Sequence, residues 1–303
     1  MENIVIKNDL ALGDNIALTG AIRDLCRTYP GRYNIGVKSH FEAVYKYNPY
    51  VDNSISGRLI NVSYMEDLRG SNKKSMHIIE AYRRSLEGYL GVSIDRGESK
   101  GEIYLSNKEK EFKSIINGKY WVIDCGGKYD CTTKWWSQEK AQEVVDYFGD
   151  ITFVQVGDKA HYHPKLDNVV NLIGKTTIRD LFLLIYHSSG VVCPITSHMH
   201  IAAALPKVDR IKPVVVIAGG IEAIHWSTYS YHTILHTIGA MDCCAFGGCW
   251  RRQVVPIEDG KIYEEPSCKY PVKSGDTYIA KCMDSISSVD VIMAIEKYEG
   301  FSD

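Results

Sequence analysis

Apolar positions change their spacing early in the chain. Ile4-Val5-Ile6 is a short unbroken run, whereas Leu18, Ala21, Ile22 and Leu25 recur at the three- and four-residue steps of a buried helical face. A strand, a loop over Asn8 to Gly13 and a helix follow from that change. The Pro30-Gly31 turn then leads into a second predicted strand, Arg32 to Val37, and extended and helical segments alternate through Leu59 to Met65, His77 to Leu90 and Glu102 to Leu105. A charged run, Lys108 to Ile116, gives way to Asn117-Gly118-Lys119, and the pattern restarts with the strand Tyr120 to Asp124. We place a domain boundary there, with domains at 1–117 and 118–303. In the second domain Ala141, Val144, Val145 and Phe148 mark one helix face and Ile178 to Ile185 another helix. Ile151 to Val156, Gly190 to Cys193 and Pro213 to Ala218 read as strands. Strands alternating with helices predict an α/β fold with parallel, doubly wound sheets.

After Ala240 the periodicity fades until a final helix near Ser288 to Tyr298, and the intervening segment is rich in Cys, Gly, Pro and charge. An irregular stretch of that length needs a staple. The sequence has 303 residues and 45% hydrophobic content, enough for two cores. Its 35 basic and 37 acidic residues leave a formal net charge of -2, so it has no broad basic field and nucleic acid is not the favoured partner. The N-terminus reaches polar residues too soon for a signal peptide or a spanning helix, which predicts a soluble, cytoplasmic protein with no transmembrane segment. In a reducing compartment clustered cysteines point to metal rather than disulfides.

Ligands of open α/β sheets bind beyond the C-terminal strand ends, so chemistry is expected in those turns. Gly13-Asp14 opens the first helix, where glycine permits close backbone approach and the carboxylate can be either a cap or a base. Thr132-Thr133-Lys134 follows the first strand of the second domain, and a lysine beside hydroxyls suits a diphosphate, or is a surface lysine among core tryptophans. Gln155-Val156-Gly157-Asp158 is a strand and a turn whose Asp158 could bind ribose hydroxyls. Thr196-Ser197-His198-Met199-His200 stands between a strand end and an alanine-rich helix, where backbone N–H groups could bind phosphate. Gly219-Gly220 again follows a strand, with Glu222 able to accept from ribose or sugar hydroxyls. Cys243 or Cys244, with Cys249, Cys268 and Cys282, supplies four thiolates for one tetrahedral zinc or iron; free buried thiols are the alternative.

Gly13-Asp14, then Leu18-Thr19-Gly20-Ala21-Ile22-Arg23-Asp24-Leu25 and Tyr29-Pro30, resembles the N-terminal signature of the ADP-heptose heptosyltransferases, glycosyltransferase family 9. Asn48-Pro49-Tyr50-Val51-Asp52 is similar to a loop of the same family. Thr133-Lys134-Trp135-Trp136 resembles its Thr-x-x-Lys-x-Trp element, and Thr196, Ser197 and His200 fall on its Asp-Ser/Thr-Gly-x-x-His turn, with Ile195 in place of the aspartate and Ser197 in place of the glycine. The stretch from Cys244 to Trp250, with Cys268 and Cys282, is similar to the cysteine finger of a protein-modifying branch whose four cysteines hold iron.

The resemblance implies a GT-B type fold: two Rossmann-like domains, a cleft between them, and a Cys-rich metal-binding segment at 241–283. It implies a nucleotide diphosphate sugar as donor, a glycan, protein or other hydroxyl as acceptor, and inverting transfer with Asp14 as general base. Lys134 would hold the leaving diphosphate, and His200 would join Asp14 and Lys134 as a catalytic group. Gly13, Thr133, Gly157, Asp158, Thr196, Ser197, His198, Met199, Gly219, Gly220 and Glu222 would bind the donor. No catalytic divalent cation is expected, only a closed structural ion held by four cysteines, and the sequence leaves open which of Cys243 and Cys244 is its ligand. Two rivals stand beside this reading: the same fold acting on a protein or a modified nucleic acid base, and a nucleotide-sugar-binding or metal-sensing protein without turnover.

Overall fold

A computed structural model of the chain describes residues 1–111, 116–206, 212–254 and 267–299. The centre of the charged run Lys108 to Ile116 and part of the Cys-rich segment lie outside the described residues. The chain forms two compact units, one of residues 1–113 with 200–210, the other of residues 114–199 with 211–303.

The first unit begins β1 (Glu2–Lys7), α1 (Leu12–Thr28) and β2 (Tyr33–Lys38), and continues with β3 (Arg58–Asn61), α2 (Met65–Leu68), α3 (Ile78–Leu90) and α4 (Asn107–Glu111). Its three strands are parallel in the order β2-β1-β3. Ile4 and Ile6 are fully buried on β1, and α1 buries Ile16, Leu18, Ile22 and Leu25 as its spacing predicts. Glu102 to Leu105 is not a strand. The backbone there is irregular and is held against α1, the Glu102 N–H donating to Thr19 Oγ1 at 2.7 Å; just upstream the Arg23 guanidinium, itself buried and paired with Asp24, donates to the carbonyls of Glu98 and Lys100. A side-chain acceptor of this kind lets a non-ladder segment pack against a helix.

The second unit contains β4 (Tyr120–Ile123), α5 (Gln138–Tyr147), β5 (Thr152–Gln155), β6 (Val170–Asn171), α6 (Ile178–His187), β7 (Gly190–Pro194) and α7 (Ser197–Ala204), inside which the division between units falls. There follow β8 (Val214–Gly219), α8 (Ile224–Ser227), β9 (His232–His236), β10 (Pro271–Ser274), β11 (Thr277–Ala280), α9 (Lys281–Asp284) and α10 (Ser288–Glu299). Six strands form one parallel sheet in the order β6-β5-β4-β7-β8-β9. Residues of β4, β7 and β8 are buried throughout, the unbroken apolar pattern of strands covered on both faces. Ser137 and Thr177 cap α5 and α6 by accepting backbone N–H groups, which sets both helix starts. Within the Cys-rich segment, β10 and β11 form an antiparallel hairpin that turns at Gly275, where φ is +53°. No helix among the described residues is long and apolar enough to cross a membrane.

Candidate functional site

The chain runs outward from β4 through β5 to β6, then returns to the other side of β4 for β7, β8 and β9. The direction of winding therefore reverses between β4 and β7, the position where ligands of such sheets bind. At that point Asp124 directly follows β4, a side chain only 2% exposed. Its Oδ1 accepts from the Gly126 N–H at 2.9 Å and lies 2.9 Å from His163 Nδ1. His198 Nδ1 lies 3.3 Å from Oδ2 and 2.9 Å from Thr196 Oγ1. Burial alone would raise the Asp124 pKa; the contacts with His163 and His198 outweigh it and hold the carboxyl well below its usual range. Burial lowers and Asp124 raises the His163 pKa, and the net shift is upward.

Lys134 ends a 3-10 turn after β4 and pairs with Glu222, Nζ to Oε1 at 2.5 Å. Ser227 Oγ donates to the other Glu222 oxygen at 2.9 Å. A lysine and a glutamate from turns after β4 and β8 thus form one mostly buried ion pair. Their turns share an anchor in the segment after Cys249. Thr133 Oγ1 donates to the Arg251 carbonyl at 2.7 Å, and Val254 N–H donates to Thr132 Oγ1 at 2.8 Å. Cys249 and Trp250 N–H groups donate to the Gly220 and Ile221 carbonyls at 3.1 and 2.9 Å. Trp250 has φ of +55°, an uncommon conformation for a bulky residue, and its ring meets Trp226 edge-on with centroids 5.9 Å apart.

Two of the glycine turns read as ligand approaches accommodate protein side chains. A Cβ on Gly157 would lie 2.4–2.5 Å from ring atoms of His163, and one on Gly219 or Gly220 would meet Met283, Cys282 or Cys244 sulfur. Asp158 Oδ1 accepts from the Ala160 N–H, a local turn. Ser197 opens α7 rather than a loop, with His198 and Met199 buried behind it. In the first unit, Asp14 is the third residue of α1, half-buried, and its Oδ2 accepts from the Ala11 N–H at 2.9 Å, so it does act as a cap. Gly13 is buried beside it, and His200, also buried, begins the stretch grouped with that unit.

All five clustered cysteines line one small cavity, together with Thr133, Gly220 and Arg251. Among the described residues no three His, Cys, Asp or Glu side chains are arranged to hold a metal ion. Their hydrogen bonding nevertheless differs. The Cys268 sulfur accepts the Tyr270 N–H at 3.4 Å. The Cys244 sulfur instead donates to the Thr237 and Met241 carbonyls at 3.5 and 3.6 Å. Burial pushes the Cys249 thiol up to about 12 and the Cys282 thiol to about 11.

Asp124, His163 and the carbonyls of Arg251 and of Arg252, which accepts the Thr133 N–H at 3.2 Å, are the residues that reading the motifs missed. A carboxylate at a strand end before Gly126-Gly127 was the available signal for the first. Neither His163 nor the carbonyls have one, because both reach the site through distant loops.

Parallel sheets with their polar side chains gathered on strand-end turns define a Rossmann-like α/β protein. The chain belongs to glycosyltransferase family 9, the heptosyltransferases, whose family model matches residues 56–230, more than half of its length. It is a glycosyltransferase. A comparison with curated sequences gave no match. Among solved structures, the family 9 glycosyl transferase of Veillonella parvula DSM 2008 has a TM-score of 0.62 at 17% identity, covering 98% of this chain and 97% of that one. TibC, a dodecameric iron-containing heptosyltransferase in complex with ADP-D-beta-D-heptose, has a TM-score of 0.68 at 13% identity, covering 99% of this chain and 76% of that one. The E. coli ADP-heptose LPS heptosyltransferase II has a TM-score of 0.58 at 14% identity, covering 98% of each. At these identities the likeness is one of fold, GT-B-like in its parallel α/β units.

Proposed function

We propose that this chain transfers a sugar from a nucleotide diphosphate sugar to an acceptor hydroxyl, with inversion, Asp14 acting as general base and Lys134 holding the leaving diphosphate. The observation that carries the reading is the Lys134–Glu222 pair beside the reversal point of the parallel sheet. A cation fixed there can take up the charge that develops on a departing diphosphate, and Glu222 stabilises it until the donor arrives. Thr196, Ser197 and the first N–H groups of α7 stand at the neighbouring strand end, suited to a phosphate or sugar oxygen. Proton removal by Asp14 as the hydroxyl attacks would let displacement proceed without a catalytic divalent cation. The heptose nucleotide bound by TibC recommends ADP-heptose as the first donor to try.

For the cysteines we propose one closed structural ion, zinc or iron, held by Cys243, Cys249, Cys268 and Cys282. The choice of Cys243 over Cys244 rests on the Cys244 sulfur, whose hydrogen is already engaged by the Thr237 and Met241 carbonyls. TibC, an iron-containing relative in fold, favours testing iron beside zinc. Nine cysteines with no disulfide among them suit a reducing, cytoplasmic setting.

The test incubates wild type, Asp14→Asn and Lys134→Ala with a panel of nucleotide diphosphate sugars and hydroxyl acceptors, reading released nucleoside diphosphate and anomeric configuration by NMR. One donor should turn over in the wild type, with the loss of either side chain lowering the rate at least about 100-fold. Equal rates in Asp14→Asn and wild type would remove the base assignment. Binding without turnover under every condition would leave a nucleotide-sugar sensor instead.

A further inference from the structure

The cluster around Asp124 holds a proton whose location the geometry decides. A carboxylate can only accept, so His163 must carry hydrogen on Nδ1 to bond Asp124 Oδ1, which also takes the Gly126 N–H. Oδ2 is buried and has no hydrogen-bond partner of ordinary geometry, with His198 Nδ1 3.3 Å away. If that nitrogen bore a lone pair, two acceptors would face each other in a dry pocket, an arrangement that leaves the carboxylate oxygen unsatisfied. With hydrogen on Nδ1, His198 donates to Thr196 Oγ1 at 2.9 Å and leans its positive edge on Oδ2.

We propose that Asp124 is a positioning residue for the transfer reaction: it fixes His198 as the Nδ1–H tautomer, so that Nε2 offers a lone pair at the end of β7 to a hydroxyl of the nucleotide-sugar donor. This rests on the donor-binding reading of the same strand ends. A neutral imidazole in this tautomer accepts from a ribose or sugar hydroxyl, whereas the opposite tautomer can only donate to that oxygen, so the bond must turn round and the hydroxyl proton must find another acceptor. The wrong imidazole tautomer is the known consequence of exchanging an orienting carboxylate for an amide in hydrolytic triads.

The same exchange is informative here because the orientation of the new amide is dictated. In Asp124→Asn the amide oxygen must occupy the Oδ1 place, which receives two N–H donors, and the NH2 group must then face His198 Nδ1. An NH2 group there needs an acceptor, so His198 should move its proton to Nε2.

The experiment is long-range 1H–15N NMR of histidine-labelled protein without any ligand at neutral pH, with the His198 signals assigned by their loss in His198→Gln. The wild type should show Nδ1 protonated and Nε2 bare, and Asp124→Asn the reverse. Titration of both proteins with ADP and with ADP-heptose, then with 2′-deoxy-ADP, separates a ribose hydroxyl from a sugar hydroxyl. Asp124→Asn should weaken the relevant ligand at least about 10-fold, the scale of one lost hydrogen bond to a fixed polar group. Rescue to near wild-type affinity for the ligand lacking that hydroxyl is expected. A wild-type His198 protonated on Nε2 overturns the proposal without any variant. A reversed tautomer with unchanged affinity overturns the functional half. Failure of the wild type to bind any nucleotide would sink the donor reading and this role with it, recognisable because the variant is not involved.

Discussion

Gly157→Ala should destabilise the second unit through one imidazole. The added Cβ would stand 2.4–2.5 Å from Cγ, Cδ2 and Nε2 of His163. Ordinary carbon contacts begin near 3.5 Å, so the ring must retreat by about 1 Å. Its other side is already against Gly126, where a Cβ would be 2.9 Å from His163 Nδ1. Retreat also breaks the 2.9 Å bond to Asp124. Overpacking costs about 1–3 kcal/mol and losing a hydrogen bond to a charged group about 1.5–3 kcal/mol, so a total near 3 kcal/mol is expected. Gly157 is not among the positive-φ residues, so backbone strain adds nothing to this figure. All five tryptophans belong to the second unit, and fluorescence during urea unfolding therefore reports that unit alone. At a slope of about 1–3 kcal/mol per molar, the midpoint should fall by at least about 1 M. His163→Ala removes the obstruction, so the double variant should be about as stable as His163→Ala alone, a coupling of about 2 kcal/mol or more. Additive effects, or a Gly157→Ala midpoint equal to wild type, would refute the cradle.

Several other outcomes follow from the geometry. Elemental analysis of purified variants should find the metal lost in Cys243→Ser and retained in Cys244→Ser; the opposite result would reverse the ligand choice. Glu222→Gln should leave Lys134 without its counter-charge and tighten nucleoside diphosphate binding measured by calorimetry, while slowing no step that the lysine serves. Burial pushes His232 down to about 3, and its Nδ1 is buried without a partner. The unfolded chain takes up this proton near pH 6.5 and the folded chain does not, so stability is lost as pH falls from about 6.5 towards 3. His232→Phe should flatten that part of the urea midpoint profile, and an unchanged slope would show that the ring does not titrate there. Gly190→Ala should lower the melting temperature, because its Cβ would lie 2.5 Å from the fully buried Trp121 ring.

The parallel sheets were legible because their strands are unbroken apolar runs: Val214 to Ile217 and Val191 to Cys193 could be little else once turns bounded them. Strand β6 has two residues, Val170 and Asn171, and carries too little pattern to be seen. The hairpin β10–β11 escaped because Pro271 to Ser274 alternates weakly and its turn is Gly275-Asp276, with the pairing rather than composition defining the strands. At the site, lysine and acid turns were visible as residues after strands. Their partners were not, since the Lys134–Glu222 contact spans 88 positions and the Thr133–Arg251 contact 118. Gly157 and Gly219 illustrate the limit from the other side. A glycine after a strand signals close approach, and only coordinates say whether a ligand or a neighbouring side chain approaches.

Residues 249 to 254 tie the cysteine cavity to both polar turns through their own main-chain atoms, so that changing a side chain within that segment leaves the linking atoms in place. Amide deuterium exchange should therefore treat Thr133, Cys249, Trp250 and Val254 as one opening unit, slowed together or released together when the thiols are occupied or alkylated. Shortening the Cys-rich segment would be no trimming of an appendage. It would withdraw the floor on which Lys134 and its partner Glu222 stand, and the ion pair would be lost although neither of its side chains had been touched.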